Sequence, residues 1–239
     1  ATCGAGGRVH HRSEWLVSAV GAAARAHCAT AVELAAQHLG PILTLSPVPT
    51  TTAAATHDQG VTPQAIIDFW FKEIKPKSWW IKDTAFDATI KNRFGAVLRQ
   101  AKAAELYAWR ATPQGRLAEI IVLDQFSRNV YRDTAEAFAA DPMALALAQE
   151  AVARGADLEL LAVHVPFLLM PYMHSESRAV HAVALRLFSK PAAEGNLSFE
   201  LRHKAIIDRF GRYPHRNALL GRVSTEAEIA FLTEPGSSF

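Results

Sequence analysis

The densest chemistry in the chain lies near its C-terminus, in the run Asp208-Arg209-Phe210-Gly211-Arg212-Tyr213-Pro214-His215-Arg216-Asn217. Guanidinium groups grip carboxylate or phosphate bidentately, and histidine exchanges protons near neutrality without help. Gly211 is a natural helix stop and Pro214 a natural first residue of a following helix, so the run reads as a rigid elbow with its polar side chains gathered at the bend. N–H groups freed at a helix start beside Arg212 and Arg216 make an expected anion site.

Two further clusters have the same flavour. In Asp124-Gln125-Phe126-Ser127-Arg128-Asn129-Val130-Tyr131-Arg132, the residues Asp124, Arg128 and Arg132 recur every four positions and share a helix face. On a surface this would be an ordinary ion pair of little energetic weight. Ile120, Ile121 and Phe126 argue that the helix is buried, where an Asp–Arg pair is either structural glue or part of a site. In Met170-Pro171-Tyr172-Met173-His174-Ser175-Glu176-Ser177-Arg178, Pro171 biases Met170 towards an extended conformation, and Ser175 is expected to cap the next helix with Glu176 in its first turn. His174 then stands at the mouth of that helix. The spacing of His174, Glu176 and His181 fits no compact metal motif, so no metal and no other cofactor is assigned. His203 shares a face with Ile206, Ile207 and Phe210 and is expected to point inward, as a core residue or, near His174 and His215, as a proton carrier.

Composition removes whole classes of function. The 239 residues carry a formal net charge of +2, with no basic face interleaved with exposed aromatics, which argues against nucleic acid. Apolar runs such as Val165 to Met170 are far shorter than the roughly 18 residues a membrane span needs. Cys3 and Cys28 are the two cysteines, so no thiol chemistry or thiolate zinc site is available beyond Asp58. There is no Gly-rich phosphate loop, no Gly-x-Ser-x-Gly elbow and no His-Glu-x-x-His. Trp70, Trp79, Trp80 and Trp109 read as core aromatics rather than a stacking platform.

Helices must position these clusters. Residues 1–57 stand apart: rich in Ala, Ser, Thr and Pro, with Glu14 and Glu33 as their acids, they resemble either an organellar presequence or sequence outside the natural domain. Ser13 to Leu39 reads as one Ala-rich helix within that segment. From Thr62 the signals are helical almost without break. Thr62-Pro63, Thr112-Pro113 and Asp141-Pro142 are N-cap and first-turn pairs; Asp83 opens a helix striped by Phe86, Ile90, Phe94 and Leu98. Ser175 to Phe188, Ser198 to Phe210 and a capping-box start at Ser224-Thr225 complete the set. No segment alternates with period two. The expectation is an all-α domain over residues 62–232, of about eight helices in antiparallel pairs, followed by a short tail, 233–239. The helix-turn-helix cadence suggests a tetratricopeptide-like right-handed array.

The three clusters, in this order, resemble the bacterial domain-of-unknown-function family 924. Its hallmarks are an Asp-Gln-x-x-Arg-Asn-x-x-Arg stretch, a His-Ser-Glu segment, and a final Arg-Phe-Gly-Arg-x-Pro-His-Arg-Asn followed by Leu-Gly-Arg and Ser-Thr. They stand here at Asp124–Arg132, His174–Glu176, Arg209–Asn217 and Leu220–Thr225, and Ile66–Phe71 fits the family's opening; the segment Phe167–Met173 departs from its usual order. The resemblance implies a tetratricopeptide-like all-helical fold and no particular reaction.

Two functions compete. In the first, Arg128, Arg132, Arg209, Arg212 and Arg216, with Asn129, Glu176 and Asn217, converge on a small anionic ligand, a carboxylate or phosphate. His174, His215 and His203 handle its protons in metal-independent acid–base chemistry, and Asp124 and Asp208 orient the cations. Asp124, Arg128, His174, Arg212 and His215 are expected to meet around one cavity, and a surplus of arginine over nearby acid calls for an external anion. In the second, a tetratricopeptide-like module grips an acidic peptide or protein partner. Clustering of the polar residues in His-containing motifs favours the first. A cytoplasmic location is expected, or an organellar one if residues 1–57 are a transit peptide.

Overall fold

The computed structural model describes residues 60–238; the segment expected over residues 1–57, including its Ala-rich helix, lies outside the described residues. Among the described residues every regular element is a helix, and the fold is all-α.

Helix α1 opens at Pro63–Asp68, with Thr62 Oγ1 accepting from the Ala65 N–H at 3.2 Å, and continues as a π-helical turn, Phe69–Glu73. Helix α2, Thr84–Lys102, is capped by Asp83 and buries Ile90, Phe94, Val97 and Leu98 along one stripe. Helix α3 is the axis of the domain. It starts at Pro113–Ile121, passes through a π-helical turn, Val122–Phe126, and ends in Ser127–Val130. Residues 117–127 are buried without interruption, as expected of a helix enclosed by α1, α2 and the helices that follow. Its first turn lies so close to the preceding 3-10 turn, Tyr107–Ala111, that a Cβ on Gly115 would stand 1.8 Å from the Trp109 carbonyl oxygen.

Helix α4, Asp141–Ala153, and the single turn α5, Ala156–Glu159, lead to α6, Val165–Met173. Then come α7, Arg178–Phe188, α8, Leu197–Phe210, a 3-10 turn, Pro214–Arg216, and α9, Glu226–Leu232. Helices α4 and α6 pack on α3 and on each other, α7 packs on α6, and α8 on α7. The main core gathers residues of α1 to α7; a second small cluster, Ile206, Ile207, Tyr213 and Phe231, ties α8 to the elbow and α9.

Three local expectations are corrected, each near the site. Pro171 lies inside α6, and Met170 is helical, not extended. Val165 and the residues from Phe167 to Met173 are buried, and packing on all sides outweighs the local bias against helix before proline. The cap of α7 is Ser177, whose Oγ accepts from the Val180 N–H at 3.4 Å, rather than Ser175, so His174 ends α6 instead of opening α7. At the elbow Gly211 does stop α8, at φ 74°, but Pro214 opens only the three-residue 3-10 turn.

Candidate functional site

The π-helical turn of α3 places Asp124 and Gln125 side by side in the interior. A π turn adds a residue to one coil and so re-aims side chains relative to a regular helix. Asp124 is fully buried, and its two oxygens are shared between three neighbours. Oδ1 lies 2.7 Å from His174 Nδ1 and 3.0 Å from Arg128 Nη1; Oδ2 accepts from Gln125 Nε2 at 2.5 Å. The Gln125 amide is itself steadied by Met170 Sδ at 3.3 Å. Burial alone would raise the Asp124 carboxyl pKa, but Arg128 and His174 hold it well below the usual range, so it stays ionised.

Arg128 turns its other edge to Asp141, the first residue of α4, with Nη1–Oδ1 at 2.9 Å and Nη2–Oδ2 at 3.0 Å. Asp141 Oδ2 also accepts from Arg216 Nη1, at 3.3 Å. The chain of polar contacts therefore runs His174, Asp124, Arg128, Asp141, Arg216 and draws together α3, α6, α4 and the elbow. Asp124 and Asp141 match Arg128 and Arg216, two against two.

The imidazole of His174 is pinned from behind. Tyr213 Oη donates to the Met173 carbonyl at 2.5 Å, and His181 Nε2 donates to the Ser175 carbonyl at 2.8 Å, so the carbonyls on both sides of His174 are held. His181 Nδ1 lies 2.8 Å from Glu200 Oε1, and the Tyr213 hydroxyl is 3.2 Å from His181 Nε2. With Nδ1 on Asp124, Nε2 is the ring nitrogen left over, and the His174 side chain lines the cleft described next. Burial, then Arg128, lowers the His174 pKa, with Asp124 opposing, so the ring is neutral near pH 7 and its Nδ1–H donates to Asp124.

A cleft of about 520 Å³ opens in front of these groups. His174, Asp141, Glu176 and Arg216, with Glu136 and Ser175, form its polar part; Phe138, Pro142, Leu145, Pro171 and Leu220 form most of its apolar walls. Arg216 is 5% exposed, with its guanidinium between the rings of Phe138, at 4.6 Å, and Tyr213, at 4.5 Å. Its buried Nε has no hydrogen-bond acceptor among the described residues, and the bond to Asp141 is long. Burial, then the proximity of Arg128, lowers the Arg216 pKa.

The remaining motif residues lie elsewhere or have other tasks. Arg132 and Asn129 both bind Asp87 of α2, Arg132 through Nε–Oδ2 at 2.6 Å and Nη2–Oδ1 at 2.8 Å and Asn129 through Nδ2–Oδ1 at 2.8 Å. Arg212 grips Glu228 of α9 bidentately at 2.6 and 2.7 Å, away from Asp124 and His174. Arg209 packs over Phe210 and Phe231 with Glu234 at 4.0 Å, and Asn217 Nδ2 donates to Ser224 Oγ at 3.0 Å. Asp208 pairs with Lys204 at 2.5 Å. Glu176 accepts from the Tyr213 N–H at 2.8 Å and from Arg222 at 2.6 and 2.9 Å. The anion expected at the elbow is thus supplied by the chain's own Glu176. His203 points inward, 6.4 Å from His174 and 5.8 Å from Tyr213 between ring centroids, with Nδ1 donating to the Phe199 carbonyl at 2.8 Å. Burial, then His174, lowers it to about 3. His215 lies beside Tyr213 at 5.7 Å and is lowered to about 4 by burial and then Arg216.

Of the five residues expected around one cavity, Asp124, Arg128 and His174 are in direct contact, and Arg212 is drawn off to α9. The expected surplus of positive charge is also absent, because Asp87, Asp141 and Glu228 meet the arginines from other helices. Sequence reasoning missed Asp141, Tyr213, His181 and Glu200 as parts of the site. Asp141 had a signal, since an acid opening an apolar helix is a natural partner for a buried arginine; it registers only as a helix start.

This arrangement can be set beside known proteins. The family model for bacterial proteins of unknown function DUF924 matches residues 66–236. The chain belongs to that family. A solved structure of a protein of unknown function from Agrobacterium tumefaciens is 37% identical; the match covers 72% of this chain and 96% of that one, with a TM-score of 0.68. No curated protein matches. In this member of family 924, the Asp-Gln, His-Ser-Glu and Pro-His-Arg-Asn motifs supply Asp124 and Gln125, His174 and Glu176, and Arg216 to one neighbourhood, while Arg132, Arg209 and Arg212 fasten helices. No helix among the described residues is long and apolar enough to cross a membrane.

Proposed function

We propose that the cleft binds a small anionic molecule and moves a proton on it, with His174 as the base. The observation that carries this is the Asp124 Oδ1–His174 Nδ1 contact of 2.7 Å, with the histidine on the cleft wall beside Arg216. A buried carboxylate on Nδ1 fixes the tautomer, leaves the Nε2 lone pair towards the ligand, and stabilises the imidazolium once Nε2 has taken a proton. Arg128 keeps Asp124 ionised, so the dyad stays charged while the site is empty of ligand. Arg216 has donor capacity left over and lies over two rings, which suits it to an oxygen acceptor on the ligand.

Differential scanning fluorimetry with acetate, hexanoate, benzoate and inorganic phosphate tests this. At least one of these anions raises the melting temperature of the native chain. Arg216→Leu loses that response while its circular dichroism remains helical. If no anion stabilises the native chain, or the variant responds equally, the ligand site is not there.

A further inference from the structure

We infer that the ligand is a monocarboxylate with an apolar body, rather than a phosphate or a dicarboxylate; this rests on the reading of the cleft as an anion site. Three observations bear on it. First, charge at the polar end is already matched, with Asp124 and Asp141 opposite Arg128 and Arg216. Asp141 and Glu176 both line the cleft, so each extra negative charge on a ligand meets standing carboxylates. A dianion therefore suffers more repulsion than a monoanion, in a setting where solvent screens poorly.

Second, the unfilled capacity is hydrogen bonding rather than charge. Arg216 is nine-tenths buried and lines the cleft, its Nε has no acceptor among the described residues, and it holds Asp141 only at 3.3 Å. A carboxylate presents two oxygens in one plane, which suits a guanidinium, here lying over two aromatic rings.

Third, most of the remaining wall is apolar, with Glu136, which pairs with Lys102, and Ser175 as its polar exceptions. Phe138, Pro142, Leu145, Pro171 and Leu220 offer no donor or acceptor side chain to a second polar group. At roughly 30 Å³ for a water-sized group, a cleft of 520 Å³ takes a ligand of on the order of fifteen non-hydrogen atoms. The carboxylate accounts for three, and the apolar body for the remainder.

Isothermal titration of the full chain with acetate, butanoate, hexanoate, octanoate, glutarate and inorganic phosphate tests the class. Affinity should rise about two- to fourfold per methylene from butanoate to octanoate, as apolar burial requires. Glutarate and phosphate should bind at least tenfold more weakly than hexanoate. Leu220→Gln, at a residue already 37% exposed, should flatten the chain-length series. If phosphate or glutarate binds as well as hexanoate and Arg216→Leu abolishes that binding, the cleft is an anion site and the monocarboxylate inference is wrong. A flat chain-length series in the native chain overturns it equally. If none of the six binds, the anion site itself fails.

Discussion

Among the described residues, two histidine–carboxylate dyads stand on either side of one turn. His174 with Asp124 faces the cleft, and His181 with Glu200 is sealed, both side chains at 0% exposure. Their contact lengths are almost the same, 2.7 and 2.8 Å. The second ring nitrogen separates them. His181 commits Nε2 to the Ser175 carbonyl, so the dyad is closed and acts as a brace. His174 has a single hydrogen-bond partner among the described residues, Asp124 on Nδ1, and lines the cleft with 14% of its side chain exposed. A histidine next to an acid is therefore a base or a strut according to what its other nitrogen meets.

The largest effect expected follows from the sealed dyad. His181→Ala leaves Glu200 as an uncompensated buried acid and releases the Ser175 carbonyl, so chemical denaturation should show a loss of about 3 to 5 kcal/mol. The same change at His174 leaves Asp124 with Arg128 and Gln125 and should cost clearly less. Equal losses would mean that both dyads are struts.

Acid should separate the regions next. His203, at about 3, and His215, at about 4, both lie below the ordinary histidine value of 6.5. The unfolded chain then binds more protons than the folded one, so this stability is fully present above about pH 6.5 and lost as pH falls through about 4 for His215 and about 3 for His203. Between pH 7 and 5 the loss should reach about 2 kcal/mol, discounted for the partial solvent contact of His215. Urea midpoints across that range check it; a flat profile would show that the two histidines are not buried neutral. The His203→Gln variant should flatten part of the slope.

Much of this was legible in the sequence. The Thr62, Asp83 and Thr112 caps, the Asp141-Pro142 start, the Gly211 stop and the Thr225–Glu228 capping box follow from local rules, because each is decided within a few residues. The contact of Asp124 with Arg128 followed from their spacing, and the inward turn of His203 from its apolar face. The pairings across helices were not legible. Arg132 meets Asp87 from 45 positions away, and Arg216 meets Asp141 from 75, distances over which periodicity says nothing. The π turn that carries Asp124 has no local signature, and Pro171 inside α6 goes against one.

Motif membership alone does not mark function, and the outer arginines show it. Asp87→Asn loosens Asn129 at the end of α3 and Arg132 in the turn after it, both partly exposed, and should cost about 1 kcal/mol in denaturation without altering anion binding in the cleft. Smaller still, Arg209→Ala should stay within about 0.5 kcal/mol of the native chain and keep its anion response, since that side chain is half exposed. A loss of ligand response in either variant would extend the site to the outer arginines.

The most direct measurement is the tautomer and titration of His174 by ¹⁵N NMR, with assignment from His174→Gln. The account predicts a neutral ring at pH 7 with the proton on Nδ1, an Nε2 resonance that moves when hexanoate is added, and a mixed tautomer in Asp124→Asn. A proton on Nε2 at pH 7, or an Nε2 signal indifferent to every anion that stabilises the protein, would contradict it.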